Sequence, residues 1–166
     1  LAWLFHLWLH AGSRRAASFI GFAFGLGLFG AGVSWVYVSM HDFGMLPLPL
    51  AAFATLLFIA FFALYPTLLG YVQAWSRGSA PARLLLILPT SFALMEWVRG
   101  WLFTGFPWLT VGYSQAPASP LAGYAPLLGV YGVSLLLALS AGLCALIYHA
   151  WRGQRRRAGV ALIALL

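Results

Sequence analysis

The sequence contains no lysine and only two acidic residues, Asp42 and Glu96, against nine arginines. Charged residues make up 7% of the 166, where ordinary soluble domains carry about 25%. That shortage argues against a water-soluble globular domain. The single cysteine, Cys144, excludes an intrachain disulfide and a metal–thiolate cluster. With Asp42 and Glu96 the only acids, no carboxylate pair is visible, and no serine, histidine and acid combine into a hydrolytic set. Internal repeats are not visible, which weakens an inverted-repeat transporter. The glycine-rich stretch lacks the spacing and strand context of a nucleotide fingerprint. No basic-then-apolar leader with a cleavage site is present. The chain opens and stops inside apolar runs, which predicts a segment of a longer protein.

What is present is apolar length. Hydrophobic residues make up 63% of the chain, in continuous runs near the ~20 residues that cross a hydrocarbon core. The runs do not alternate as barrel strands do, so the expected fold is all-α, a polytopic transmembrane helix bundle. About four complete spans and two truncated ones are expected: 1–11 (truncated), 16–40, 47–75 with a kink at Pro66, 84–103 with a bend at Pro89, 124–151, and a truncated helix from about 158. Gly21 and Gly25 form a small-xxx-small pair suited to close helix packing. Residues 104–123 hold Pro107, Pro117 and Pro120 with Gly105, Gly112 and Gly123, and read as a long loop able to dip back into the membrane.

The net charge of +7 would suggest nucleic acid in a soluble protein, but topology explains it better. The arginines cluster at 14/15, 77/83 and 152/155/156/157, with two helices between successive clusters, so all three fall on one membrane face. Short cytoplasmic loops carry the Lys/Arg excess. This predicts cytoplasmic arginine turns and an outward-facing 104–123 loop. Trp35, Tyr37, Trp101 and Trp108 fit an outer aromatic belt, and Trp75, Tyr148 and Trp151 an inner one.

Only Glu96 and Arg99 place charge inside a span. Counted from Arg83, they lie roughly 20 and 24 Å along the helix, in a core about 30 Å thick. Their i,i+3 spacing sets them on one face. A structural ion pair is one reading. The other is a polar post beneath an outer groove, with Arg99 meeting a lipid phosphate and Glu96 orienting it. Trp101, Phe106, Trp108, Tyr113 and Gln115 complete the candidate lipid-binding set, with simple interfacial anchoring as the plainer reading of each aromatic. His6 and His10, at i,i+4, lack a third ligand in their span. His41 and His149 read as loop or interface residues, and Cys144 as a buried thiol. No cofactor and no metal are expected.

The order Glu96-Trp97-Val98-Arg99-Gly100-Trp101, Thr104-Gly105-Phe106-Pro107-Trp108, Gly112-Tyr113-Ser114-Gln115, Pro120-Leu121, Ala125-Pro126 and Gly129-Val130-Tyr131-Gly132-Val133-Ser134 resembles the membrane domain of bacterial apolipoprotein N-acyltransferases. The stretch 27–35 is similar to an earlier helix of that family. The resemblance implies transfer of an acyl chain from a phospholipid to the N-terminal cysteine amine of a lipoprotein, at the outer face of the cytoplasmic (inner) membrane. It implies a nitrilase-like domain with a Glu-Lys-Cys triad and a thioester intermediate. That triad cannot lie in a chain without lysine, so no catalytic residue is expected in 1–166 and the nitrilase-like domain is expected after 166. The implied partners are a phospholipid acyl donor, a lipoprotein acceptor and the bilayer, with no nucleic acid. A transporter subunit and a non-catalytic lipid-binding scaffold are the alternatives, and a further domain fused downstream is compatible with the sequence.

Overall fold

The computed structural model describes the backbone of residues 1–163 and the side chains of residues 1–153. Helices α1 (Ala2–Leu9), α2 (Arg14–Gly32) and α3 (Ser34–Val38) are followed by a π-helical turn (Ser39–Phe43). Then come α4 (Leu48–Gln73), the short α5 (Ala80–Ala82), a π-helical segment (Arg83–Ile87) and α6 (Leu88–Arg99). Three 3-10 turns, Leu102–Thr104, Val111–Gln115 and Pro120–Tyr124, lead into α7 (Ala125–Ile163). Four stretches among the described residues are long and apolar enough to cross a membrane: Arg14–Gly32, Leu48–Gln73, Ala80–Arg99 and Pro120–Gly153. They turn Leu56, Leu64, Leu68 and Ile147 outward, each more than half exposed. Such a surface suits lipid rather than water.

Local chemistry sets the helix starts. The Ser13 hydroxyl accepts the Ala16 amide at 3.1 Å and caps α2. Pro49 sits in the first turn of α4, where its missing amide costs no helical bond. Packing then follows the small residues. A Cβ on Gly21 would strike the Pro66 backbone, and one on Gly25 would come within 2.7 Å of the Ala63 Cα. The Gly21/Gly25 pair thus lets α2 lie against α4 at backbone distance, as its spacing predicts. One core gathers Phe5, Trp8, Leu84, Leu88 and Phe92 between α1, α6 and α7. A second joins Phe29, Val33, Val36, Phe62 and Phe106.

Several boundaries differ from expectation. The span expected over 16–40 breaks at Val33, which has φ −117° and ψ 19°. The span around Pro89 begins with a π-helical segment: proline cannot donate the amide that would continue regular i→i−4 bonding. Helix α4 does run on through Pro66, as expected. Helix α7 changes direction at Gly129, with φ 65° and ψ 179°, a conformation natural only to glycine. The expected turn at the last arginine cluster and the separate helix from about 158 are not found. Helix α7 runs unbroken through that region to Ile163. Gln and Arg are good helix formers, and the lone Gly153 does not stop the helix. The side chains of Arg155, Arg156 and Arg157 lie outside the described residues.

The two ends of the bundle differ in chemistry. At one end Arg83 donates to Gln73 Oε1 at 2.8 Å and to the Trp8 carbonyl at 3.3 Å. This ties the start of the third span to the ends of α1 and α4 and satisfies an orphan carbonyl. Arg14 lies 4.7 Å over the Trp75 ring, and His10 lies 5.3 Å from His149 of α7. Arg14, Arg83 and Arg152 therefore share an end, as their spacing predicts. At the other end Trp35 meets Trp108, 6.2 Å between centroids, and the proline-rich loop folds over the bundle.

Candidate functional site

Helix α6 buries Leu88, Pro89, Phe92, Glu96 and Arg99. Their spacing is the i, i+4, i+8, i+11 stripe of an inward helix face. Two charged groups thus occupy positions an apolar residue would normally fill, and each is 1% exposed. Charge so placed persists only where polar partners meet it.

The loop supplies those partners. Arg99 Nη1 donates to the carbonyls of Phe106 and Trp108 at 2.5 and 2.6 Å, and Nη2 reaches Thr110 Oγ1 at 3.4 Å. Glu96 Oε1 accepts the Val111 amide at 2.8 Å. The next amide, Gly112, donates to Ser134 Oγ of α7 at 2.9 Å. The Phe106 amide in turn donates to the Arg99 carbonyl at 2.9 Å. Five of the seven loop positions from 106 to 112 are thereby fastened to α6 and α7 by charge-assisted and buried bonds.

This arrangement differs from a simple ion pair. Glu96 and Arg99 form no salt bridge within 4.0 Å, although they share a face, because loop groups satisfy each of them separately. The Arg99 guanidinium lies beneath the loop, 5.4 Å from the Phe29 ring. Glu96 Oε2 and Arg99 Nε remain buried without hydrogen-bond partners among the described residues.

The stapled loop is conformationally demanding. Phe103, Thr104 and Leu109 adopt φ of 54°, 73° and 61°, a region costly for residues with a Cβ. Gly32 makes room for Leu109, whose side chain occupies the space a Cβ there would take. Gly112 likewise admits close approach of the Val130 carbonyl.

What the clamp holds in place is aromatic. Phe106 is buried against Phe62, 4.5 Å between centroids, and stacks on Trp108 at 5.4 Å. Trp108 itself is 55% exposed. It lines a cavity of about 710 Å³ with Leu28, Pro107, Val111, Tyr113 and Ser114. Phe106 lines a second groove of about 540 Å³ with Leu57, Phe58, Phe61 and Phe103. Both are large enough for part of a lipid and predominantly apolar.

Of the predicted residues, the structure unites Glu96, Arg99, Phe106 and Trp108. Tyr113 joins the first cavity and is 60% exposed. Trp101 stands apart, exposed, against Trp97 at 5.4 Å. The Gln115 amide donates to Ser114 Oγ at 2.9 Å and does not reach the buried cluster. Thr110 and Ser134, which helical spacing does not mark, complete the polar cluster. Their one sequence signal is position, in the loop and in the run 129–134. Among the described residues no three His, Cys, Asp or Glu are grouped to hold a metal ion.

A four-span helical bundle with an aromatic loop fastened to a charged intramembrane helix defines the molecule as a multi-pass membrane domain. A family model described as the apolipoprotein N-acyltransferase N-terminal domain matches residues 1–143. Three relatives bear the name apolipoprotein N-acyltransferase. That of Nitrosomonas europaea is 55% identical over 141 residues, covering 85% of this chain and 28% of the relative. That of Methylococcus capsulatus is 47% identical over 164 residues, or 98% of this chain and 32% of the relative. That of Ralstonia nicotianae is 44% identical over 168 residues, or 99% of this chain and 32% of the relative. The chain belongs to the apolipoprotein N-acyltransferase family. It spans 28–32% of the length of these relatives.

Proposed function

We propose that this chain is the membrane domain of an enzyme that moves an acyl chain from a phospholipid to the N-terminal cysteine amine of a lipoprotein, and that it positions the lipid chains of both substrates. The observation that carries this reading is the stapled loop. The Glu96–Arg99 clamp fixes Phe106 and Trp108 between two apolar grooves. Both substrates carry long acyl chains and arrive laterally from the bilayer, so a rigid aromatic floor beside open grooves suits them. In this reading Glu96 and Arg99 position the floor and do not touch substrate. Trp108 and Tyr113 contact lipid, and Trp101 anchors the domain in the interface.

The chemistry belongs elsewhere. Acyl transfer through a thioester needs a thiolate with a base beside it, and the expected Glu-Lys-Cys set requires a lysine this chain lacks. Cys144 lies in α7 beside Ile147, Tyr148 and Trp151, toward the arginine-bearing end and away from the loop; it is exposed on the outer helix face and not buried as its apolar run predicts. A nitrilase-like domain downstream of residue 166 would supply the nucleophile; because α7 starts at the loop end and carries Arg152 at the other, one further membrane crossing is needed to bring that domain to the loop side. The loop side is the outer face of the cytoplasmic membrane in this reading, and the arginine-bearing end is cytoplasmic.

The test compares residues 1–166 with the product of the complete reading frame, each in vesicles containing phospholipid and a diacylated lipopeptide with a free N-terminal amine. Acyl transfer is expected from the complete product alone. Turnover by residues 1–166 would overturn the placement of the chemistry. Absence of transfer by a folded complete product would overturn the assigned reaction.

A further inference from the structure

At the arginine-bearing end, α1 and α7 bring together a set of cationic and titratable groups that the loop site does not use. His6 of α1 and His10 at its C-terminal end lie with ring centroids 4.4 Å apart, tilted by 45°, and His149 lies 5.3 Å from His10. The His10 Nδ1 donates to the His6 carbonyl at 2.8 Å. A carbonyl only accepts, so the second ring nitrogen of His10 remains for another partner. Tyr148 packs edge-on to His6 at 4.9 Å, and Arg152 lies 5.8 Å over the Tyr148 ring. His6 is 6% exposed, and its Nδ1 is buried without a hydrogen-bond partner.

No carboxylate balances this group. The chain has two acids: Asp42 lies in the π-helical turn near the opposite end, and Glu96 is bonded to Val111. The same end also carries Arg83, whose guanidinium caps the carbonyls of Trp8 and Leu9. Immediately toward the membrane interior the surface changes character. A cavity of about 170 Å³, lined by Ala2, Trp3, His6, Cys144 and Tyr148, adjoins a groove of about 380 Å³ through the shared Cys144 and Tyr148. The lining is almost entirely apolar. An acid-free cationic rim above a membrane-facing apolar groove is complementary to one kind of molecule, an amphiphile with a negative head.

We propose that the groove between α1 and α7 binds an anionic glycerophospholipid, with His10, His149 and Arg152 holding its phosphodiester and an acyl chain lying along Tyr148 and Cys144. This rests on reading the chain as a membrane domain, and the leaflet occupied follows from its orientation. The site is distinct from the loop grooves, which lie at the other end of the bundle. Because the rim holds no acid, it has nothing to offer the ammonium of a zwitterionic head. It therefore selects phosphatidylglycerol over phosphatidylcholine.

The test is native mass spectrometry of the full-length protein in detergent, titrated with phosphatidylglycerol or phosphatidylcholine. Retention of phosphatidylglycerol is expected to fall about five- to tenfold in the triple variant His10→Gln/His149→Gln/Arg152→Gln. Arg152→Gln alone alters only an exposed side chain and should show part of that loss without disturbing the fold. Arg14→Gln/Arg15→Gln, at the same end but off the groove, should retain the lipid. Unchanged retention in the triple variant, equal retention of phosphatidylcholine, equal loss in the Arg14/Arg15 control, or displacement by millimolar inorganic phosphate would each overturn the proposal. A reversed orientation would leave retention intact and appear only in thiol labelling. A protein that stayed out of vesicles altogether would instead refute the membrane reading.

Discussion

The Arg99 guanidinium presents its donors in one plane, and the loop uses that geometry: two carbonyls and a threonine hydroxyl converge on it. An ammonium cannot span the same acceptors. Arg99→Lys should therefore destabilise the domain by about 2 kcal/mol, since each buried acceptor left unpaired costs about 1–3 kcal/mol. Glu96 accepts a single backbone amide, which a neutral amide side chain can also do. Glu96→Gln should cost less than about 1 kcal/mol and Glu96→Ala clearly more. Thermal unfolding in detergent, with limited proteolysis of the 104–123 loop, ranks the three. Equal loss for Gln and Ala would mean that charge rather than the hydrogen bond matters at position 96. The i,i+3 spacing of the pair was legible in the sequence. Its partners were not, because they come from residues 7 to 15 positions away, and helical spacing says nothing about which loop folds back.

At the level of elements, the contact of α2 with α4 depends on two of the five glycines between positions 21 and 32. Cβ atoms at Gly21 and Gly25 would collide with backbone of α4, whereas those at Gly27 and Gly30 would meet nothing within 4 Å. Gly21→Leu and Gly25→Leu should each prevent close pairing and lower stability by at least the ~1–3 kcal/mol typical of overpacking. Gly27→Leu and Gly30→Leu should be tolerated. Thermal unfolding of the four variants decides the matter, and equal effects at all four sites would refute the packing account. The small-xxx-small spacing exposed the right pair in the sequence. The π-helical segment at 83–87 and the turn at Gly129 were less legible: the first arises where Pro89 withholds the amide of regular helical bonding, the second where Gly129 adopts a φ of 65°. The part of α7 beyond Gly129 shows the converse: an arginine cluster reads as a loop, yet a helix can carry it.

For the whole molecule the deciding quantity is orientation across the bilayer. With Cys144 replaced by alanine, Ala118→Cys should react with a membrane-impermeant thiol reagent on intact cells, and Arg155→Cys should react only after lysis. The reverse pattern would place the aromatic loop in the cytoplasm, away from the proposed lipoprotein substrate. The expectation rests on the gathering of Arg14, Arg83 and Arg152 at one end and on the positive-inside asymmetry of short loops.

Apolar length, the near-absence of acids and the arginine spacing were enough to determine a helical membrane bundle and the shared end of its basic turns. Lipid admits only helices or closed barrels, and run length distinguishes them. The ordered motifs of residues 96–134 were enough to indicate the family. The tertiary structure alone decided that Glu96 and Arg99 serve the loop backbone instead of each other, and that three histidines from two helices meet at the opposite end. Both outcomes depend on contacts between residues far apart in the chain, where local periodicity carries no information and the need to satisfy every buried polar group selects the partner.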